Sequence, residues 1–182
     1  YKHRIQKFNA DGDFLLTFGS HSGYTCYAGS GKKFWYARET CTSDYDGKFA
    51  SPKGMAIDSA GNIFVVDSGN GRIQKFDSSG NFISKFGKAG SCASSMKLAY
   101  KDRKCKASTY NGVFAGAYGI AIDSSDNIYV SDGYDNRIQK FDSSGKYLLQ
   151  WGAAGTLASD LSVADEHWAD NRMSMAKGIS VD

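Results

Sequence analysis

The chain has 182 residues, with 22 Lys and Arg against 19 Asp and Glu, a net charge of +3, and 41% hydrophobic and 14% aromatic residues. That composition can bury a core. It excludes a collagen-like repeat, a disordered tract and, with no apolar run near about 18 residues, a membrane-spanning helix. So mild a charge gives no electrostatic footprint for nucleic acid, and one proline against 21 glycines leaves the turns to glycine.

The predicted elements begin inside a strand pattern. Residues 1–19 contain RIQKFNADGDFLLTFG, two β-branched and aromatic runs around an Asp-Gly turn. Residues 20–48 form a first insert with Cys26, Cys41 and a cluster of aromatics that includes Phe34, Trp35 and Tyr36. Residues 49–87 follow as a full unit. Its strands are predicted at 55–57, 63–66, 72–76 and 82–86, and its turns open on Asp58, Asp67 and Asp77. A second insert, 88–113, holds Cys92 and Cys105. It is basic, about +5, through Lys88, Lys97, Lys101, Arg103, Lys104 and Lys106 against Asp102. A second full unit spans 114–152. The third insert, 153–174, is acidic, about −3, with Asp160, Asp165, Glu166 and Asp170 against Arg172, and it carries Trp168. Residues 175–182 start a further unit with GISVD.

The two full units are near copies: residues 54–87 and 119–152 agree at about 19 of 34 positions without a gap. Such self-similarity marks a repeat architecture. Four short strands joined by tight turns form an antiparallel meander, so the predicted fold is an all-β propeller of four-stranded blades. About three blade equivalents are present, with long inserts between them. Phe14, Leu16 and Phe18, Phe82, Ser84 and Phe86, and Tyr147, Leu149 and Trp151 are expected to share one side of their strands and to pack blade on blade. Each insert follows the last strand of a blade, which puts all three on one end of the propeller. Loops this long in a compact domain are commonly functional.

The pattern GMAIDSAGNIFVVD…RIQKFDSSGNF…FG, repeated as GIAIDSSDNIYVSD…RIQKFDSSGKY…WG, resembles the NHL repeat. In that family the third strand usually opens on Asn-His-Arg. Here the slot reads His3-Arg4, Gly71-Arg72 and Asn136-Arg137, so histidine stands in one of the three copies. The resemblance implies a propeller and leaves the activity open, because one fold hosts many activities. Secreted amidating lyases with this propeller hold zinc through channel histidines, and the scattered His3, His21 and His167 do not match that arrangement. Intracellular NHL proteins bind RNA on a basic face. The pairs Arg4/Lys7, Arg72/Lys75 and Arg137/Lys140 are the corresponding cations, and they are expected instead to support loops and neighbouring blades.

Local pairing predicts disulfides Cys26–Cys41 and Cys92–Cys105, hence an oxidising, extracellular or cell-surface setting. Closing the first loop of about 15 residues would stabilise the fold by about 3 kcal/mol. No nucleophile elbow, zinc-protease, phosphate-loop or dinucleotide motif occurs, and the Asp58/Asn62 and Asp123/Asn127 spacings read as turn chemistry rather than calcium loops. The chain is therefore expected to be a non-enzymatic interaction module without catalytic residues, metal or cofactor. A protein, copies of itself in a surface filament, or a glycan are the expected partners. The expected contacts are Phe34, Trp35, Tyr36, Lys97, Lys101, Arg103, Lys104, Lys106, Asp160, Asp165, Glu166 and Trp168. An amidating-lyase-like metalloenzyme and an RNA-binding domain are the alternatives.

Overall fold

The computed structural model describes residues 3–21, 45–89, 110–133, 135–152 and 178–181. In chain order the strands are β1 (Ile5–Phe8), β2 (Phe14–Phe18), β3 (Ser20–His21), β4 (Lys48–Phe49), β5 (Pro52–Ile57), β6 (Ile63–Asp67) and β7 (Arg72–Phe76). They continue with β8 (Phe82–Phe86), β9 (Lys88–Ala89), β10 (Val113–Phe114), β11 (Ala117–Ile122), β12 (Ile128–Asp132), β13 (Arg137–Phe141) and β14 (Tyr147–Gly152). Among the described residues the one helical segment is a 3₁₀ turn, Ser68–Asn70. Strands β5-β6-β7-β8 and β11-β12-β13-β14 form two antiparallel four-stranded meanders, the middle and C-terminal blades. Strands β1-β2 make an N-terminal pair equivalent to β7-β8. The fold is all-β, built of propeller-type blades.

Polar turns set the hairpins. Asp58 Oδ1 accepts the backbone N–H groups of Ala60 (3.1 Å) and Asn62 (2.8 Å), so the side chain satisfies the turn from within. Asp77, Asp123 and Asp142 repeat the device, and Asn9 uses its amide oxygen the same way. These carboxylates are turn parts, as the sequence suggested. Where the middle blade has Gly61 at φ +80°, the C-terminal blade puts Asp126 at φ +59°. That left-handed residue is offset by a link between blades: Asp126 accepts from the Ser59 N–H (2.9 Å) and hydroxyl (2.6 Å).

The core lies between blades. Strand β6 is buried along its whole length. Ile63 and Val65 pack toward Phe18 of the N-terminal pair, while Phe64 and Val66 pack toward Phe114, Ile120 and Val130 of the C-terminal blade. Strands β5 and β11 run side by side so closely that a Cβ on Gly54 would lie 2.7 Å from the Tyr118 carbonyl oxygen. The glycine that opens the middle blade is therefore required by the approach of two backbones.

Two expectations need correction. The first strand begins at Pro52, not at 55, because a register break between Pro52 and Met55 lets pairing reach back to the proline, which stands first in the strand. More important, the aromatics of the outermost strand do not share a side. Phe76 pairs with Phe82 and Lys75 with Ser84, so Ile83 is a bulge residue; Leu15 and Leu148 bulge identically. The extra residue turns Phe82 toward the preceding blade, against Phe76, while Phe86 faces the following blade, against Phe141.

Candidate functional site at the insert-bearing end

The described roots of the first two inserts occupy the same place in the repeat. Two-residue parallel bridges close their roots, Ser20–Lys48 and His21–Phe49 for the first, Lys88–Val113 and Ala89–Phe114 for the second. These roots are thus strand, where the sequence suggested loop.

A buried polar clamp holds each returning chain. In the middle blade the fully buried Asp67 carboxylate accepts from Ala50 N (2.7 Å), Asn70 Nδ2 (2.8 Å), Arg72 Nε (2.9 Å) and Gln74 Nε2 (3.0 Å). Arg72 Nη2 then donates to the carbonyls of Tyr45 (2.8 Å) and Lys48 (3.0 Å), and Gln74 Oε1 accepts from Gly47 N (3.0 Å). The C-terminal blade repeats this one unit later. Arg137 Nη2 donates to Val113 O (2.6 Å) and Tyr110 O (3.3 Å), Gln139 Nε2 donates to Val113 O (3.0 Å), and Gln139 Oε1 accepts from Gly112 N (2.9 Å).

The copies differ in charge. Asp135 stands where the middle blade has Asn70, so two buried carboxylates share one guanidinium: Arg137 Nη2 is 3.3 Å from Asp135 and 3.6 Å from Asp132. Burial, and then the Asp135 charge, push Asp132 up to about 7. Burial also raises Asp67.

The clamps leave two tyrosine side chains outside. Tyr45 is 72% and Tyr110 75% exposed, each 27 residues before the arginine that holds its carbonyl. Beside Tyr110 opens a groove of about 970 Å³ between the middle and C-terminal blades, lined by Arg72, Lys85, Lys88, Asn111 and Tyr147 among others. Lys85 also pairs with Asp46 at 3.0 Å.

The sequence-predicted contacts Phe34, Trp35, Tyr36, Lys97, Lys101, Arg103, Lys104, Lys106, Asp160, Asp165, Glu166 and Trp168 lie outside the described residues, as do Cys26, Cys41, Cys92 and Cys105. The repeat cations are placed. Arg72 and Arg137 are buried in the clamps. Lys75 pairs with Asp58 (3.1 Å) over the Phe64 ring, and Lys140 with Asp123 (3.8 Å) over Tyr129. Lys7 reaches the Ser78 carbonyl of the next blade (3.2 Å), and Arg4 bonds Gln6 (3.3 Å). The slot before the repeat arginine is left-handed in all three copies, with φ +25° at His3, +61° at Gly71 and +50° at Asn136. His3 Nδ1 lies 3.0 Å from Ser51 N and 3.2 Å from Phe49 O, tying the N-terminal pair to the middle blade. One imidazole engaged in this way does not make a zinc centre. Among the described residues no three His, Cys, Asp or Glu side chains gather as metal ligands.

The NHL repeat family model matches residues 49–76 and 114–141, the first three strands of each full blade with the segment leading into them. Protein brain tumor of Drosophila melanogaster is 29% identical over 108 residues, covering 59% of this chain and 9% of that protein. The probable peptidyl-alpha-hydroxyglycine alpha-amidating lyase pgal-1 of Caenorhabditis elegans is 29% identical over 110 residues, covering 59% of this chain and 27% of the relative. The chain thus spans only a small part of either relative's length. Among solved structures, a structural genomics protein of unknown function from Bacteroides thetaiotaomicron superposes with a TM-score of 0.50 at 17% identity, over 76% of this chain and 32% of that one. Sequence pattern, four-stranded blades and family match agree that this chain carries the NHL repeat at residues 49–76 and 114–141.

Proposed function

We propose that the chain is an extracellular, non-enzymatic binding module whose insert-bearing end takes a protein partner with an acidic segment. The observation that carries this reading is the pair of repeat-equivalent tyrosines, Tyr45 and Tyr110, displayed by buried clamps at one end of the blades, the second beside a groove lined by Lys85 and Lys88. Exposed tyrosines on a rigid base supply contact area at low entropic cost, and the cations supply steering and register. The extracellular setting rests on the cysteine pairs, and a mass measurement of the unreduced protein finding four free thiols would remove that support. The test of the binding end is a peptide-display selection on the whole chain, repeated on a Tyr45→Ser/Tyr110→Ser variant. Acidic peptides that bind the parent and not the variant are expected. Ligands indifferent to both substitutions would overturn the reading.

The similarity to pgal-1 favours a second reading, a lyase-like propeller. The strand-three slots described above do not supply its histidines, so no step is derived through a metal. Stoichiometric zinc in the purified protein would revive this reading and sink the first.

A further inference from the structure

We propose that the root of the second insert is a proton-operated latch. The C-terminal blade grips it while Asp132 and Asp135 keep one proton between them, and loosens once both are charged.

Donors and acceptors do not balance alike around the two clamp arginines. A guanidinium Nη carries two hydrogens. In the middle blade Arg72 Nη2 donates to two carbonyls, Tyr45 at 2.8 Å and Lys48 at 3.0 Å, while Nε serves Asp67 at 2.9 Å. In the C-terminal blade Arg137 Nη2 faces four oxygens: Val113 O at 2.6 Å, Tyr110 O and Asp135 Oδ2 at 3.3 Å, and Asp132 Oδ2 at 3.6 Å. Nη1 is committed to Gln150 Oε1 (2.8 Å), and Nε has no acceptor among the described residues. The carboxylates and the insert root therefore compete for the same two hydrogens.

A proton decides that competition. With one proton on the pair, one carboxylate faces one guanidinium, which is the balance of Asp67, Arg72 and Asn70 in the middle blade. Without it, two buried carboxylates draw Nη2 away from neutral carbonyls, because hydrogen bonds to a charged acceptor are the stronger ones. Among the described residues the charges acting on Asp132 are Asp135, from the β12–β13 turn, and Arg137, from β13. The root itself offers Asp132 backbone N–H groups, Ala115 at 3.1 Å and Gly116 at 2.8 Å, and Lys88 of β9 beside it is exposed.

Asp132 and Asp135 are 0% and 1% exposed, so opening the root is what admits water to them. Burial and the Asp135 charge hold the closed-state Asp132 carboxyl at about 7, against an ordinary 3.8. The closed root thus binds the proton more tightly than the open one. Its grip is complete below about 4 and is lost as pH rises through about 7. Tyr110 opens this root. Control of what Tyr110 binds rests on the binding reading, whereas the latch does not.

The test is amide hydrogen exchange on the intact protein from pH 5 to pH 8, corrected for the intrinsic rate at each pH, with no ligand present. The latch therefore stands or falls apart from the binding reading. Protection at Gly112, Ala115 and Gly116 should fall at least about tenfold over this range, and at Gly47 and Ala50 of the first root by less. At pH 8 the second root should exchange faster than the core amides of Val65 and Val130. Asp135→Asn should flatten the response of the second root, and Asn70→Asp should confer it on the first. Equal pH dependence at both roots, or an undiminished response in Asp135→Asn, would overturn the proposal. Root amides that exchange no faster than the core at every pH would also overturn it, because they would report global unfolding and not a latch.

Discussion

The middle and C-terminal blades answer the same architectural demand with different electrostatics. Each must hold a returning insert by its backbone, and each does so with an Asp, an Arg and a Gln at the same offsets. In the middle blade one buried carboxylate faces one guanidinium and Asn70 completes the set with a neutral donor. In the C-terminal blade Asp135 takes that place, and the guanidinium turns Nη2 to two carboxylates and the insert root while Nη1 donates to Gln150 Oε1. Arg137 Nε is left without an acceptor among the described residues, where Arg72 Nε meets Asp67 at 2.9 Å. The lesson is that a backbone clamp tolerates a buried charge imbalance, which appears both as a turned guanidinium and as a raised carboxyl titration.

The comparison breaks most severely at the arginines. Arg137→Met should cost about 3–5 kcal/mol in urea unfolding at pH 8, because it strands two buried carboxylates. Arg72→Met should cost less, and equal costs would show that the second carboxylate carries no charge at that pH. Next in size, Asn70→Asp should import the imbalance into the middle blade, destabilising it by about 1–3 kcal/mol at pH 8 and by less at pH 5.

Asp135→Asn should do the reverse, stabilising the chain by about 1–2 kcal/mol at pH 8. Its pH dependence sharpens the comparison. The folded Asp132 carboxyl, at about 7, binds its proton more tightly than the unfolded one near 3.8. The folded state therefore holds more protons between these values, and the contribution of this group is fully present below about 4 and lost as pH rises through about 7. Unfolding followed from pH 5 to pH 8 should show stability falling in the parent and a flatter profile in Asp135→Asn. The smallest effect belongs to the glutamines. Gln74→Leu and Gln139→Leu should each cost about 1 kcal/mol and raise amide exchange at Gly47 and Gly112 respectively. Unequal exchange would locate the difference between the blades in the insert roots.

The sequence made much of this legible, and the failures have definite causes. The RIQKF run, bracketed by turn residues, marks 72–76 as strand, and the strand is Arg72–Phe76. Pro52 hid the start of β5 because proline argues against a strand unless a bulge accommodates it. The outermost strand misled through its period. Alternation by two puts Phe82 and Phe86 together, and nothing in FISKF announces that Ile83 is an extra residue. At the site, the exchange of Asn70 for Asp135 is visible in the aligned copies, but its burial is a property of packing. Tyr110 could have been found from its 27-residue lead on Arg137, which repeats that of Tyr45 on Arg72. Phe34, Trp35, Tyr36 and most of the insert charges, which stand out by composition, fall outside the described residues, while Tyr45, Asp46, Lys88 and Tyr110 at the insert roots are within them.

The bulge in the outermost strand also bears on how such a protein grows. Because one strand hands an aromatic to each side, every unit brings both a ring to offer and a place to receive one. Duplicating a unit therefore needs no new interface chemistry, since the added copy meets its neighbours with surfaces they already recognise. The side chains then say nothing about when to stop. How many units make a finished molecule is decided by the angle between successive sheets. Deleting Ile83, Leu15 or Leu148 would leave each blade two-sided, since the end aromatics would then stand three residues apart, on opposite faces of a regular strand.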